Sequence, residues 1–102
     1  MKAYLIVGVA SLTSFSAWAS CSEPPAPPAP PSGAAATRAE MLTAQTAIKD
    51  YNAAVISFTE CVRKGGNPGE IQRAGDVVEQ LEKLAVRFNA ELRAFKQKNG
   101  AQ

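Results

Sequence analysis

Apolar side chains recur at alternating steps of three and four along two stretches of this chain, and the break Gly65-Gly66-Asn67-Pro68 stands between them. The first stretch carries Met41, Ala44, Ile48, Tyr51, Val55, Phe58 and Val62; the second carries Ile71, Ala74, Val78, Leu81, Ala85, Phe88, Leu92 and Phe95. A strand would need a period of two, whereas this spacing gathers each set into a heptad stripe on one face of a helix. Two amphipathic helices joined by a turn of about three residues must lie antiparallel. The expected fold is therefore all-α: an antiparallel two-helix hairpin over residues 37–102.

Signals at the helix ends set the boundaries. Thr37-Arg38-Ala39-Glu40 is a capping box, in which the Thr37 hydroxyl accepts from a backbone N–H and Glu40 reaches back to the cap. Asn67-Pro68-Gly69-Glu70 repeats the signal, with proline at a position where the missing donor is harmless. Helices over about 37–64 and about 68–98 follow. Arg93, Lys96 and Lys98 gather where positive charge complements the helix dipole, and Asn99-Gly100 ends the second helix. Gly75 lies inside that helix at a cost of about 1 kcal/mol relative to alanine, which marks a bend or a close contact.

In an antiparallel pair the a positions meet the d positions. The register that leaves no alanine facing alanine pairs Tyr51 with Ala85, Ile48 with Phe88 and Ala44 with Leu92. A slip of one heptad pairs Met41 with Phe88 and Ala44 with Ala85, a thinner layer than dense interior packing favours. Beside the stripes run two further lines, Ala47, Ala54 and Cys61 on the first helix and Val77 and Leu84 on the second. They face each other across a shallow apolar groove that needs a cover.

The N-terminal third supplies that cover. Met1-Lys2, the apolar run from Leu5 to Leu12 and the small-residue site Ala17-Trp18-Ala19 have the order of a secretory signal peptide, residues 1–19. The apolar run is shorter than the roughly 20 residues of a membrane span, so no transmembrane anchor is expected. Cleavage after Ala19 leaves 83 residues, Ser20 to Gln102, a size at which small domains often need a staple. The competing processing is that of a lipoprotein acylated at Cys21, although Trp18 stands where such signals carry an aliphatic residue.

Residues 20–36 form a leader holding six of the chain's seven prolines, in the order Pro24-Pro25-Ala26-Pro27-Pro28-Ala29-Pro30-Pro31. Proline fixes φ and removes the backbone donor, which predicts extended polyproline II. The P-x-x-P spacing also suits ligands of proline-recognition domains; a stiff spacer suits an exported chain better. Cys21 and Cys61, the only cysteines, both survive cleavage and enter an oxidising compartment, where an even count favours pairing. An intermolecular bridge is the alternative. A metal pair is disfavoured because the chain has no histidine and no Cys-x-x-Cys.

The lengths allow the intramolecular bridge. From Cys21 to Thr37 is about 50 Å of polyproline II, and from Thr37 to Cys61 about 36 Å of helix, so the leader can fold back and bring the two sulfurs together. Closing a loop of about 41 residues would contribute on the order of 4 kcal/mol in the chain-entropy treatment.

Composition excludes several function classes. The whole chain has 11 Lys plus Arg and 9 Asp plus Glu; without Lys2 the balance is 10 to 9, a net of +1, and no footprint for nucleic acid or an acidic membrane surface remains. Acid–base and nucleophilic catalysis want a base beside a nucleophile, and histidine is absent. Glu60, Glu79, Glu82 and Glu91 lie off the stripes, and Glu60–Lys64 and Glu79–Lys83 have the spacing of ordinary helix-stabilising pairs. Gly65-Gly66 is a turn and not a phosphate cradle, since no strand precedes it. Tyr51, Phe58, Phe88 and Phe95 could line a ligand site, but their heptad positions make them core. No catalytic residue, cofactor or metal is expected. Leu42 and Ile56 fall off the stripe two heptads apart on one outer face, which makes that face a candidate for contact with a partner protein or for self-association.

The run Ala39-Glu40-Met41-Leu42, Ala44-Gln45, Ile48-Lys49-Asp50-Tyr51 and Cys61, preceded by Cys21 and the prolines, resembles a group of small exported proteobacterial proteins. The resemblance covers about Cys21 to Val62. It implies a periplasmic protein, assigns no activity, and carries over no functional residues beyond the two cysteines. The expected function is that of a small exported, non-enzymatic binding or structural module.

Overall fold

A computed structural model of the chain describes residues 21–100. The expected signal peptide, residues 1–19, and its expected cleavage site lie outside the described residues. Helix α1 runs Arg38–Gly65 and helix α2 runs Pro68–Lys98; they pack against each other as a hairpin. Each begins at a complete capping box. Thr37 Oγ1 accepts from the Glu40 N–H at 3.1 Å while Glu40 Oε1 accepts from the Thr37 N–H at 2.8 Å. Asn67 Oδ1 and Glu70 repeat the exchange at 2.8 and 3.1 Å. Between the helices the Gly66 N–H donates to the Val62 carbonyl at 2.7 Å and satisfies one of the orphan acceptors at the end of α1.

The core is a single layer in two parts. Near the turn Tyr51, Val55, Phe58 and Val62 close on Val77, with Ala74, Leu81, Leu84 and Cys21 against them. Near the open end Met41 and Phe88 close on Ala36, with Ala44, Ile48, Leu92 and Phe95 alongside. Phe88 shares this cluster with Ile48, the residue it meets in the preferred register, and with Met41, the residue it meets after a slip of one heptad. Met41 joins the same layer, so the open end is a shared cluster and not a ladder of isolated pairs.

The stripe on α2 differs from the heptad expectation at its N-terminal end. Val77 is the most buried residue of the core at 2 % exposure, whereas Val78 is 37 % and Ile71 57 % exposed. The physical reason is a third layer. A helix packed against one neighbour buries an arc centred on that neighbour; α2 packs against α1 on one side and the leader on the other, so its buried arc shifts toward the line of Val77 and Leu84.

The leader itself has a period of three. Cys21, Pro24, Pro27, Pro30, Gly33 and Ala36 are buried or half-buried, and of the residues between them all but Pro31 are exposed. Polyproline II has three residues per turn, so one edge of the strand faces the hairpin along its whole length. From Cys21 to Gly33 it runs parallel to α2, covering about 37 Å at 3.1 Å per residue against about 32 Å of helix between Glu70 and Glu91. The chain then reverses through a turn in which the Ala35 and Ala36 N–H groups donate to the Ser32 carbonyl at 3.0 and 2.8 Å.

At that reversal the leader lies directly against the backbone of α2. A Cβ on Gly33 would lie 1.8 Å from the Glu91 carbonyl oxygen and 2.9 Å from the Phe95 nitrogen. Both are helix backbone atoms that cannot swing away. Replacing Gly33 by Ala should therefore lower the unfolding free energy by about 1–3 kcal/mol, the range for overpacked sites, while the same test at exposed Ala34, as Ala34→Ser, should change it little. Urea unfolding followed by circular dichroism measures both; equal stability of Gly33→Ala and the parent would show that the leader does not rest on α2 there.

Candidate functional site

Two surfaces remain once the core is assigned: the leader side, held by a covalent and polar frame, and the opposite, uncovered side of the hairpin. The frame begins with the Cys21–Cys61 disulfide, whose Cα atoms are 5.8 Å apart. Cys61 stands at the end of the heptad line Ala47, Ala54, Cys61, facing the leader, and this line delivers its sulfur to the strand. The bond occupies the sulfur that acylation of Cys21 would use, so disulfide and lipid are mutually exclusive states of this residue.

Three carboxylates complete the frame. The Cys21 N–H donates to Glu70 Oε2 at 3.0 Å, so Glu70 closes the α2 cap with one oxygen and holds the leader with the other. Glu23 accepts from both Nε and Nη2 of Arg73, the former at 2.8 Å. At the far end the Gly33 N–H donates to Glu91 Oε1 at 2.7 Å. Glu91 is half-buried here, which corrects its placement on a solvated face. The signal for it was present: Glu70, Val77, Leu84 and Glu91 form one heptad line, with acceptors at its ends and aliphatics between. Glu60 likewise pairs with Arg63 instead of the expected Lys64, while Glu79 and Lys83 lie 3.6 Å apart as expected.

The perturbed groups all belong to this frame. Burial raises the Tyr51 phenol above its ordinary value, and the charge of Glu23 raises it further. The Tyr51 hydroxyl donates to Gln80 Oε1 at 3.2 Å. Hydrogen bonding to Glu23, and then its charge, holds the Arg73 guanidinium above its ordinary range. These are structural ties; among the described residues no group of three or more His, Cys, Asp or Glu is placed to hold a metal ion. No helix there is long and apolar enough to cross a membrane.

Of the aromatics considered for a ligand site, Tyr51, Phe58 and Phe88 are buried in the core. Phe95 is half-buried and lines an open apolar cleft at the open end with Met41, Leu42, Phe88 and Leu92. A second trough, about 350 Å³, lies between the leader and α1, walled by Pro28, Pro30, Ala44 and Ala47. Leu42 and Ile56 are 51 % and 52 % exposed. By helical phase both lie on the side of α1 away from the leader, where Ile71, Val78 and Gly75 are the corresponding positions of α2. Set against known protein families, curated proteins and solved structures, the chain matches none of them.

Two outcomes follow from the frame. The paired Cys21→Ser and Cys61→Ser variant should lose on the order of 4 kcal/mol of stability, measured by chemical unfolding beside the oxidised parent; a loss under 1 kcal/mol would mean that the unfolded chain is not restrained by the loop. Tyr51 should titrate above its ordinary value of about 10. A raised folded value means that the protonated phenol is favoured in the native state, so this contribution is complete below the unfolded value and is lost as pH rises through the folded one. In a chain starting at Ser20 Tyr51 is the sole tyrosine, and absorbance at the phenolate band reads it directly. Ionisation at or below the ordinary value would contradict its burial.

Proposed function

We propose that this chain is a small exported, non-enzymatic module of the periplasm or cell exterior, which acts through the outer surface of a stapled helical hairpin. The observation that carries this proposal is the Cys21–Cys61 disulfide. Such bonds persist in oxidising compartments and are rare where glutathione and thioredoxin keep thiols reduced, and the order of residues 1–19 supplies a route to such a compartment. The net charge of +1 after cleavage and the absence of histidine argue against nucleic-acid binding and acid–base chemistry. Glu70, Arg73 and Glu91 tie the leader to the hairpin, which leaves the outer helix faces, including Leu42 and Ile56, for contact with a protein.

The alternative is an envelope lipoprotein acylated at Cys21, with the prolines as a spacer and Cys61 free. Intact mass of the protein from its native host, with alkylation before and after reduction, separates the two. The exported, stapled module should begin at Ser20 and should accept two alkyl groups only after reduction. A mass beginning at Cys21 with added acyl chains, or both thiols alkylated without reduction, would overturn the proposal.

A further inference from the structure

The leader is packed unevenly along its length. On its inward edge Pro30, Gly33 and Ala36 are buried, whereas Cys21, Pro24 and Pro27 are half-buried. The polar ties follow the same gradient. At the open end Glu91 holds the Gly33 N–H at 2.7 Å, and the chain runs on through the Ser32 turn into α1. At the turn end the ion pair of Glu23 with Arg73 is exposed, a kind of contact that contributes little to stability. The Cys21 N–H on Glu70, at 3.0 Å, is a single further tie there. The disulfide to Cys61 thus fastens the end of the leader that packing holds least.

The two sulfurs are unequal as well. Cys61 is exposed, while Cys21 is half-buried against the cluster of Tyr51, Phe58 and Val77. Exchange of a disulfide with a thiol depends on access and on which sulfur is attacked, and exposed disulfides are the labile ones. An incoming thiolate meets Cys61 first, and the leaving sulfur is the one carried by the leader. The geometry points to a redox latch: a dithiol that attacks Cys61 releases the turn half of the leader, residues 21–28, while residues 30–36 stay docked on the hairpin. The latch goes beyond the surface contact proposed above and does not rest on it.

The exchange balances in two steps. A thiolate of the dithiol bonds to Cys61 Sγ, the bond to Cys21 Sγ breaks, and Cys21 leaves as a thiolate that takes a proton from water. The second thiol of the reagent then attacks its own sulfur in the mixed disulfide, and Cys61 leaves as a thiol. Two electrons pass to the cysteine pair, and the dithiol ends as a disulfide. Release uncovers Val77 and Tyr51 in the turn-half cluster, against which Cys21 packs, and leaves Ala36 over Met41 and Phe88. Stiff polyproline II limits how far the freed end can wander, which favours reclosure on oxidation.

Dithiothreitol acting on the disulfide-bonded chain Ser20–Gln102 tests this. On reduction, amide order parameters at Glu23 and Ala26 should fall from about 0.85 to below about 0.6; those at Gly33 and Ala36 and the helical circular dichroism should hold. Phe88→Leu loosens the far core cluster and should leave the rate of reduction within about twofold of the parent, whereas reduction through the unfolded chain would quicken about fivefold or more. A brief pulse of glutathione quenched with acid should leave the mixed disulfide on Cys61. The inference is overturned if Glu23 and Ala26 stay ordered, if Gly33 and Ala36 or the helices are lost with them, if the rate follows global stability, or if glutathione is found on Cys21. None of these outcomes bears on export or on the outer helix faces, and the mature mass is read separately.

Discussion

Burial of the proline-rich strand along the Val77 and Leu84 line of α2 is the constraint from which the rest of the fold takes its shape. Two helices alone meet along one seam, and a seam has no depth: each core residue is covered by the opposite helix but open at its flanks. With the strand in place Val77 becomes the most buried residue of the core, Tyr51 is closed over between helices and leader, and Ala36 seals the open end against Met41 and Phe88. The helix phase follows as well. Val78 and Ile71 are apolar and in heptad register, yet they lie outside because α2 turns toward two neighbours instead of one.

Polyproline II suits this position for a reason of hydrogen bonding. A buried strand of ordinary residues would present an N–H and a C=O at each step, all needing partners. Six prolines remove the donors at six of the eight positions from Pro24 to Pro31. The donors at the two ends, on Cys21 and Gly33, are taken by Glu70 and Glu91. Proline also restricts the unfolded chain, so less entropy is lost when the strand is laid down. The disulfide acts on the same quantity by a different route, since it removes open conformations of the 40-residue separation between its ends.

Much of this was legible from the residues. The heptad stripes and the two capping boxes locate both helices, because each is a local pattern whose physics does not depend on the partner. The groove and its cover were legible too, from the small line ending at Cys61 and from the reach of the leader. The rotation of α2 was not, because heptad spacing describes a helix with one neighbour. Glu91 was missed for a related reason: a carboxylate off the stripe looks solvated until something is known to lie beside it. Extending the line Val77 and Leu84 by one heptad each way finds Glu70 and Glu91 and shows polar ends on an apolar strip. The repeat Pro-Pro-Ala likewise matches the turn of polyproline II and marks which edge of the leader faces inward.

The two faces of the hairpin are therefore unequal, and the inequality has a consequence for how the molecule meets others. The leader side is occupied along α2, where Gly33 lies against the helix backbone and Glu70 and Glu91 hold the Cys21 and Gly33 N–H groups, and it stays open at the trough toward α1. A partner seeking that side would have to displace a strand fixed by a covalent bond at one end and a continuous chain turn at the other. The uncovered side carries Ile56 and Ile71 with about half of their surface, and Val78 with about a third, exposed to water, so contact there would displace no part of the chain and would remove apolar area directly. The disulfide thus does more than stabilise. By keeping the leader in its groove it closes one side of the hairpin and leaves the other face of α1 and α2 open to water.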